Sequence, residues 1–138
     1  TETFLKMKID SNDEMSIAAE KLINLGVSNV IITNGLKPLI FKSSSSESFH
    51  SVISSKNVVD VTGAGDSFTS AVIYSWLKNY TNEDIINLAL LNSKKTVETN
   101  YTVRQNLDQK QLEIELEEFK NEKISWIFYR SWRSQKKQ

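Results

Sequence analysis

A chain of 138 residues is long enough for one domain and buries roughly two-thirds of its unfolded surface on folding. Its 17 basic and 17 acidic residues cancel, so no global field recruits a nucleic-acid polymer or a membrane. It has no cysteine, which excludes disulfides, thiolate metal sites and a cysteine nucleophile. With no signal peptide and no apolar run long enough to span a bilayer, the cytoplasm is the expected compartment.

Thr1 to Ile9 is short and mixed, the end of a helix or a loop. Ser11-Asn12-Asp13-Glu14 has capping-box spacing, with Ser11 accepting from the backbone and Glu14 reaching back. Met15, Ala18, Ala19, Leu22, Ile23 and Leu25 recur at helical spacing, and Gly26 supplies a left-handed stop. Val30-Ile31-Ile32-Thr33 is a continuous β-branched run of the kind buried in a parallel sheet. Helix, tight loop and strand together read as one turn of a doubly wound α/β layer. Leu39-Ile40-Phe41 and Phe49-His50-Ser51-Val52-Ile53 flank the tract Ser43 to Ser46, which predicts a hairpin. His50, the single histidine, falls in a strand as an ordinary edge residue and supports neither histidine catalysis nor a metal site.

The densest chemistry lies in Val58-Val59-Asp60-Val61-Thr62-Gly63-Ala64-Gly65-Asp66-Ser67-Phe68. A β-branched run enters a glycine turn and then a helical pattern. A helix start at such a turn leaves backbone N–H groups free and adds the positive end of the helix dipole, which together bind an anion. Asp66 is a poor neighbour for a resting phosphate. It fits if it removes a proton from a nucleophile while the amides stabilise a phosphoryl group in transfer. A plain strand–turn–helix corner with Asp66 as a cap is the bland alternative.

Phe68, Ala71, Val72, Ser75 and Trp76 carry that helix to Lys78-Asn79. Thr81-Asn82-Glu83-Asp84 caps the next, and Ile85, Ile86, Leu88, Ala89, Leu90 and Leu91 form its buried stripe. Asp108 to Phe119 forms a third helix, with Leu112, Leu116 and Phe119 on one side and Glu113, Glu115, Glu117 and Glu118 on a solvated face. From Lys120 to Gln138, Trp126, Ile127, Phe128, Tyr129 and Trp132 alternate with Lys123, Arg130, Arg133, Lys136 and Lys137. Such interleaving can bind single strands or membrane surfaces. An edge element packed on the domain, or an extension after a truncation, is the better reading.

Asp60-Val61-Thr62-Gly63-Ala64-Gly65-Asp66, followed by Ser70-Ala71-Val72-Ile73, resembles the C-terminal signature of the ribokinase-like (PfkB-type) carbohydrate and nucleoside kinases. The resemblance implies a three-layer α/β/α fold of ribokinase-like class. Residues 1–119 would be its C-terminal, nucleotide-side portion, and 120–138 a tail of unassigned role. It makes Asp66 the catalytic base and Gly63, Ala64 and Gly65 the anion hole. Asp60 and Thr62 match positions that help hold a potassium ion. Thr33, Gly35 and Asn92 fall on the nucleotide side. In the family the turn after Thr33 reads Thr-x-Gly-x-x-Gly; here Pro38 replaces the second glycine, so only Thr33 and Gly35 carry over. Lys94 and Lys95 stand where small or apolar residues are usual, either snorkelling to solvent or marking a rebuilt adenine pocket.

Tyr101-Thr102-Val103 before Asn106-Leu107, the run Asn57 to Thr62, and Tyr74-Ser75-Trp76-Leu77 resemble the pseudouridine kinases in particular. The implied activity is transfer of a phosphoryl group from ATP, with Mg²⁺ and K⁺, to a primary hydroxyl of a sugar or nucleoside, pseudouridine first. The family's acceptor pocket, its lid and an Asn-x-x-Glu motif belong to an N-terminal half not found here. The chain, which begins with Thr1, reads as the second half of a longer kinase. The alternative is a remnant serving as a nucleotide-binding or interaction module. A homodimer would depend on the lid of the full-length protein.

Overall fold

The structure, a computed structural model, describes residues 1–135. Of the tail residues singled out above, Trp126 to Arg133 are described by their backbone alone, and Lys136 and Lys137 lie outside the described residues. The chain divides into two compact units, 1–54 and 55–138.

The first unit holds α1 (Glu2–Leu5), α2 (Asn12–Asn24), β1 (Asn29–Asn34), β2 (Lys37–Ser43) and β3 (Glu47–His50). The capping box of α2 forms as its spacing predicts: Ser11 Oγ accepts from the Glu14 N–H, and the Glu14 carboxylate accepts from the Ser11 N–H at 3.0 Å. At the other end Gly26 (φ 97) donates to the Ile23 carbonyl and Val27 to that of Leu22, the paired bonds of a Schellman stop. Met15, Ala18 and Ala19 pack against Val30, Ile32 and Ile40. Leu25 lies past the helix end and is exposed, so the apolar stripe closes at Ile23.

The expected parallel strand is antiparallel instead. β1 turns back through Gly35-Leu36 onto β2, and β2 pairs antiparallel with β3, giving the order β1-β2-β3. A two-residue connection permits only antiparallel pairing. Burial alternates along β1, with Val30 and Ile32 inward, so the β-branched run covers one face and not two. Pro38, which has no N–H to give a ladder, falls where the register shifts between Ile32–Ile40 and Asn34–Lys37. The predicted hairpin around the serine tract is present, although β3 ends at His50, short of Ile53.

The second unit holds α3 (Ala64–Leu77), α4 (Asn82–Val97) and α5 (Gln109–Gln135). Residues 58–61, read as a strand, form none. Val58, Val59 and Val61 are exposed, and no strand of their unit lies among the described residues to supply a ladder. β-propensity without a partner is not realised. The segment is held by the N–H groups of Val59 and Asp60, which donate to the Val97 carbonyl at 2.7 and 3.3 Å. Phe68, Ala71, Val72 and Ser75 of α3 are buried, as are Ile85, Ile86 and Leu88–Leu91 of α4, and the α3–α4 pairing forms the core. Trp76, expected on that face, is 42% exposed. α3 stops at Asn79 (φ 56), another Schellman end, with Asn79 donating to Trp76 and Tyr80 to Ser75.

α5 runs on past Phe119 through Gln135. Leu112 and Leu116 are buried as predicted, but Glu115, expected on a solvated face, is buried beside them. Among the described residues no helix is long and apolar enough to cross a membrane.

Core and surface positions separate cleanly in this layout. Ile40→Ala, at a site with no exposure, is expected to cost about 2–5 kcal/mol. Ile73→Ala, on the open side of α3, is expected to stay within about 0.5 kcal/mol. Urea unfolding of both variants checks this; equal losses would contradict the assignment of the core.

Candidate active site

The glycine turn becomes the start of α3 itself. Gly63 is the N-cap in a left-handed conformation (φ 82, ψ −5), Ala64 is the first helical residue and Asp66 sits in the first turn. Upstream, the Thr62 N–H donates to Asp60 Oδ1 at 2.8 Å, a local Asx-type turn. That bond, then the Thr62 hydroxyl, holds the Asp60 carboxyl below the usual carboxylate range. The Ala64 N–H reaches the Val61 carbonyl at 3.3 Å, and the Ser67 N–H closes the first helical turn onto Gly63 at 2.9 Å. Between them, the N–H groups of Gly65 and Asp66 meet no acceptor among the described residues. The Asp66 side chain is exposed and makes no hydrogen bond or ion pair with a described residue. Two free amides at a helix N-terminus beside a free carboxylate can bind an anion and take a proton.

The two glycines of the turn carry different constraints. A Cβ on Gly63 would lie 2.0 Å from the Thr102 carbonyl oxygen, whereas one on Gly65 would meet nothing within 4 Å. The loop 98–103 therefore rests directly on the backbone of Gly63. It is pinned at its start by the Thr99 N–H and hydroxyl, which both donate to the Thr96 carbonyl.

Behind the turn lies a buried polar network of which Asn92 alone was singled out as a site residue from sequence. Asn92 is 5% exposed. Its Nδ2 donates to the Ser67 carbonyl at 2.9 Å and its Oδ1 accepts from Arg104 Nη1 at 3.1 Å. Thr96 Oγ1 lies 2.9 Å from both Ser67 Oγ and the Asn92 carbonyl. Arg104 Nη2 continues to Glu115 Oε1 at 2.7 Å, where Lys95 Nζ (2.9 Å) and Gln111 Nε2 (3.2 Å) also donate. Burial pushes the Glu115 carboxyl up, but the bonds from Arg104 and Lys95 outweigh it and the carboxyl ends below its ordinary range. Lys95 is thus committed to Glu115, and Lys94 faces Glu98 at 3.9 Å. The signal for Glu115 was an acid three residues after Leu112, inside the apolar stripe. The signal for Thr96 was its i+4 spacing from Asn92.

Thr33 and Gly35 belong to the first unit. Thr33 is exposed at the end of β1, bordering a cleft of ≈ 280 Å³ lined also by Glu2, Ile9, Met15 and Asn34, and Gly35 (φ 57) opens the β1–β2 turn. His50 Nε2 lies 2.8 Å from Ser48 Oγ on β3. Among the described residues no group of three or more His, Cys, Asp or Glu side chains could hold a metal ion.

A helix N-terminus with free amides and an adjacent carboxylate is a site that can take an anion and a proton. Residues 1–110 match the family model described as pfkB family carbohydrate kinase, and the chain belongs to that family. It is 31% identical over 83 residues to the 1-phosphofructokinase of Borreliella burgdorferi, covering 60% of this chain and 27% of that protein. It is 29% identical over 85 residues to the deoxyribokinase of Salmonella typhi, covering 62% and 28%. Among solved structures, Arabidopsis thaliana ribokinase complexed with ribose and ATP superimposes with a TM-score of 0.68 at 25% identity, over 78% of this chain and 35% of that one. The fold is therefore ribokinase-like α/β, and the chain spans between a quarter and two-fifths of the length of these relatives.

The asymmetry of the turn gives a direct test. Gly63→Ala must move the Thr102 backbone and is expected to destabilise by about 2 kcal/mol or more. Gly65→Ala is expected to be neutral or to stabilise by up to about 1 kcal/mol, because a helical glycine is replaced without a clash. Thermal unfolding decides; a neutral Gly63→Ala would mean the loop does not rest on the turn.

Proposed function

We propose that this chain carries the nucleotide-side half of a kinase that transfers the γ-phosphoryl group of ATP to a primary hydroxyl of a sugar or nucleoside. The observation that carries the reading is the exposed, unpaired Asp66 in the first turn of α3, beside the free amides of Gly65 and Asp66. In the proposed reaction Asp66 accepts the acceptor's hydroxyl proton as that oxygen bonds to the γ-phosphorus. The bond from the γ-phosphorus to the bridging oxygen breaks, and ADP leaves. Of the amides expected to form the anion hole, that of Ala64 is taken by the Val61 carbonyl; in the proposed reaction the free amides of Gly65 and Asp66 face the charge that develops on the transferred group, and preorganised donors there are worth far more than in water.

The donor sets suit the ions of such a reaction. Mg²⁺, which keeps several waters and leans on phosphate oxygens, would neutralise the ATP phosphates without needing a protein carboxylate cage. Oxygen donors at Asp60, Thr62 and the carbonyls of loop 98–103 suit a potassium ion, which would reinforce the field at the turn. We assign Thr33 and Gly35 to the nucleotide phosphate side. Asn92 was expected beside the nucleotide, but it is buried with both ends of its amide taken by Ser67 and Arg104, so it supports the turn that bears Asp66 instead.

For the acceptor we favour pseudouridine, on the resemblance carried by Tyr101-Thr102-Val103 and by Asn57 to Thr62. The 1-phosphofructokinase, deoxyribokinase and ribokinase relatives set the comparison panel. ADP formation is measured with Mg-ATP, K⁺ and pseudouridine, uridine, ribose, deoxyribose or a fructose phosphate. Turnover strongest with pseudouridine is expected. Asp66→Asn should lower kcat by about 10³-fold or more and leave the ATP affinity within a few-fold. A variant keeping most of its kcat would refute the role of Asp66, and a different preferred acceptor would refute pseudouridine.

A further inference from the structure

The side chain of Arg104 is 9% exposed, yet it touches no part of the turn that would face a substrate. It follows the loop that rests on Gly63, and its two nitrogens reach in different directions. Nη1 donates to Asn92 Oδ1 on α4, and Nη2 donates to Glu115 Oε1 on α5. Asn92 passes the contact on, its Nδ2 holding the Ser67 carbonyl one residue beyond Asp66. Glu115 is held in turn by Lys95 and Gln111, while its Oε2 is buried with no hydrogen-bond partner among the described residues.

We propose that Arg104 is a positioning residue that locks loop 98–103 and the first turn of α3 into one rigid unit, through Asn92 on one side and Glu115 on the other. The proposal deepens the kinase reading and rests on it for its catalytic consequence. A planar guanidinium is suited to the task because it offers several donors in a fixed fork, where an ammonium is a single point. The loop is then tied at three places. Its entrance is held where the Val97 carbonyl takes the Val59 and Asp60 amides, its middle where Thr102 meets Gly63, and its exit at Arg104. A loop fixed in this way presents its carbonyls, and the turn its amides, with little reorganisation.

Separating positioning from plain stability requires a variant that removes the bridge without stranding a charge. Arg104→Met leaves Glu115 buried with less compensation, so it conflates the two effects. The double variant Arg104→Met/Glu115→Met replaces the buried pair by apolar groups, and Lys95, at 36% side-chain exposure, can turn to solvent. Amide hydrogen exchange is read at Val59, Ser67 and Thr99, whose N–H groups bond Val97, Gly63 and Thr96, with the fully buried Ser75, near the far end of α3, as the internal reference.

The double variant strands no charge but leaves Asn92 Oδ1 without its partner, and it is expected to unfold about 5–10 °C below the wild type. Its Val59, Ser67 and Thr99 amides are expected to exchange about tenfold faster relative to Ser75. Arg104→Lys keeps the charge but not the fork. It is expected to show the same local change at smaller size, so the comparison does not depend on the double variant folding. Exchange that rises uniformly, or not at all, at these three amides overturns the proposal. Since exchange needs no turnover, these amides decide the positioning role even where the chain, as the nucleotide-side half alone, turns over no acceptor; loss of Mg-ATP binding by the wild-type chain would instead refute the kinase reading. In an active enzyme, the same variants should lower kcat with the KM for ATP unchanged.

Discussion

The second unit depends on how one buried amide is satisfied. Asn92 is buried where α4 packs on the first turn of α3, and an unpaired polar group there would cost about 1–3 kcal/mol. Its two ends cannot both be satisfied by α4, so the side chain fixes where its neighbours must be. The Nδ2 requires the Ser67 carbonyl, which sets the depth at which α3 begins. The Oδ1 requires Arg104, which sets where the loop after α4 leaves. Ser67 and Thr96 add a second buried contact on the same side. Paired buried groups of this kind rigidify one another, and the turn bearing Asp66 is attached to the Asn92 end of the network.

Glu115 shows the cost of the arrangement. Taking a carboxylate out of water is expensive, and Arg104 and Lys95 repay it only because both reach Oε1 with short contacts. A leucine at 115 would extend the stripe of Leu112 and Leu116, and such replacements are often neutral or stabilising. What the ionic group supplies is direction. An apolar contact between α5 and the loop tolerates small slides, whereas a guanidinium fork with two acceptors does not. The same logic accounts for Lys95, whose charge on α4 looked out of place until Glu115 was seen opposite it.

How much of this could be read from the residues follows the range of each interaction. The capping box at Ser11 and Glu14, the stop at Gly26 and the cap at Thr81 were legible, because each is settled within a few residues. The buried stripe of α4 was legible for the same reason. Strand partners were not: Val30 to Thr33 suits either kind of sheet, and only the two-residue turn at Gly35-Leu36 selects antiparallel pairing. Val58 to Val61 has the composition of a strand, but a strand needs a ladder as well as a propensity. The Asn92–Ser67 and Asn92–Arg104 bonds join positions 25 and 12 residues apart, beyond any periodicity. Asp66 was legible as a candidate because it stands in a motif; what holds it was not.

In sequence the glycines at 63 and 65 look equivalent, and their surroundings are opposite. Gly63 has spent its freedom within the protein: its φ of 82 reverses the chain, and its missing Cβ is filled by the Thr102 carbonyl. Gly65 has open space where a Cβ would be, and its N–H points at no acceptor. The helix N-terminus is therefore closed on the side of loop 98–103 and open at the amides of Gly65 and Asp66. An anion drawn by those amides and the helix dipole would meet them on the open side, where the exposed Asp66 also lies. In the proposed reaction, with Asp66 as the base, one short turn would bind the charge and take the proton, provided that the loop on its closed side does not move.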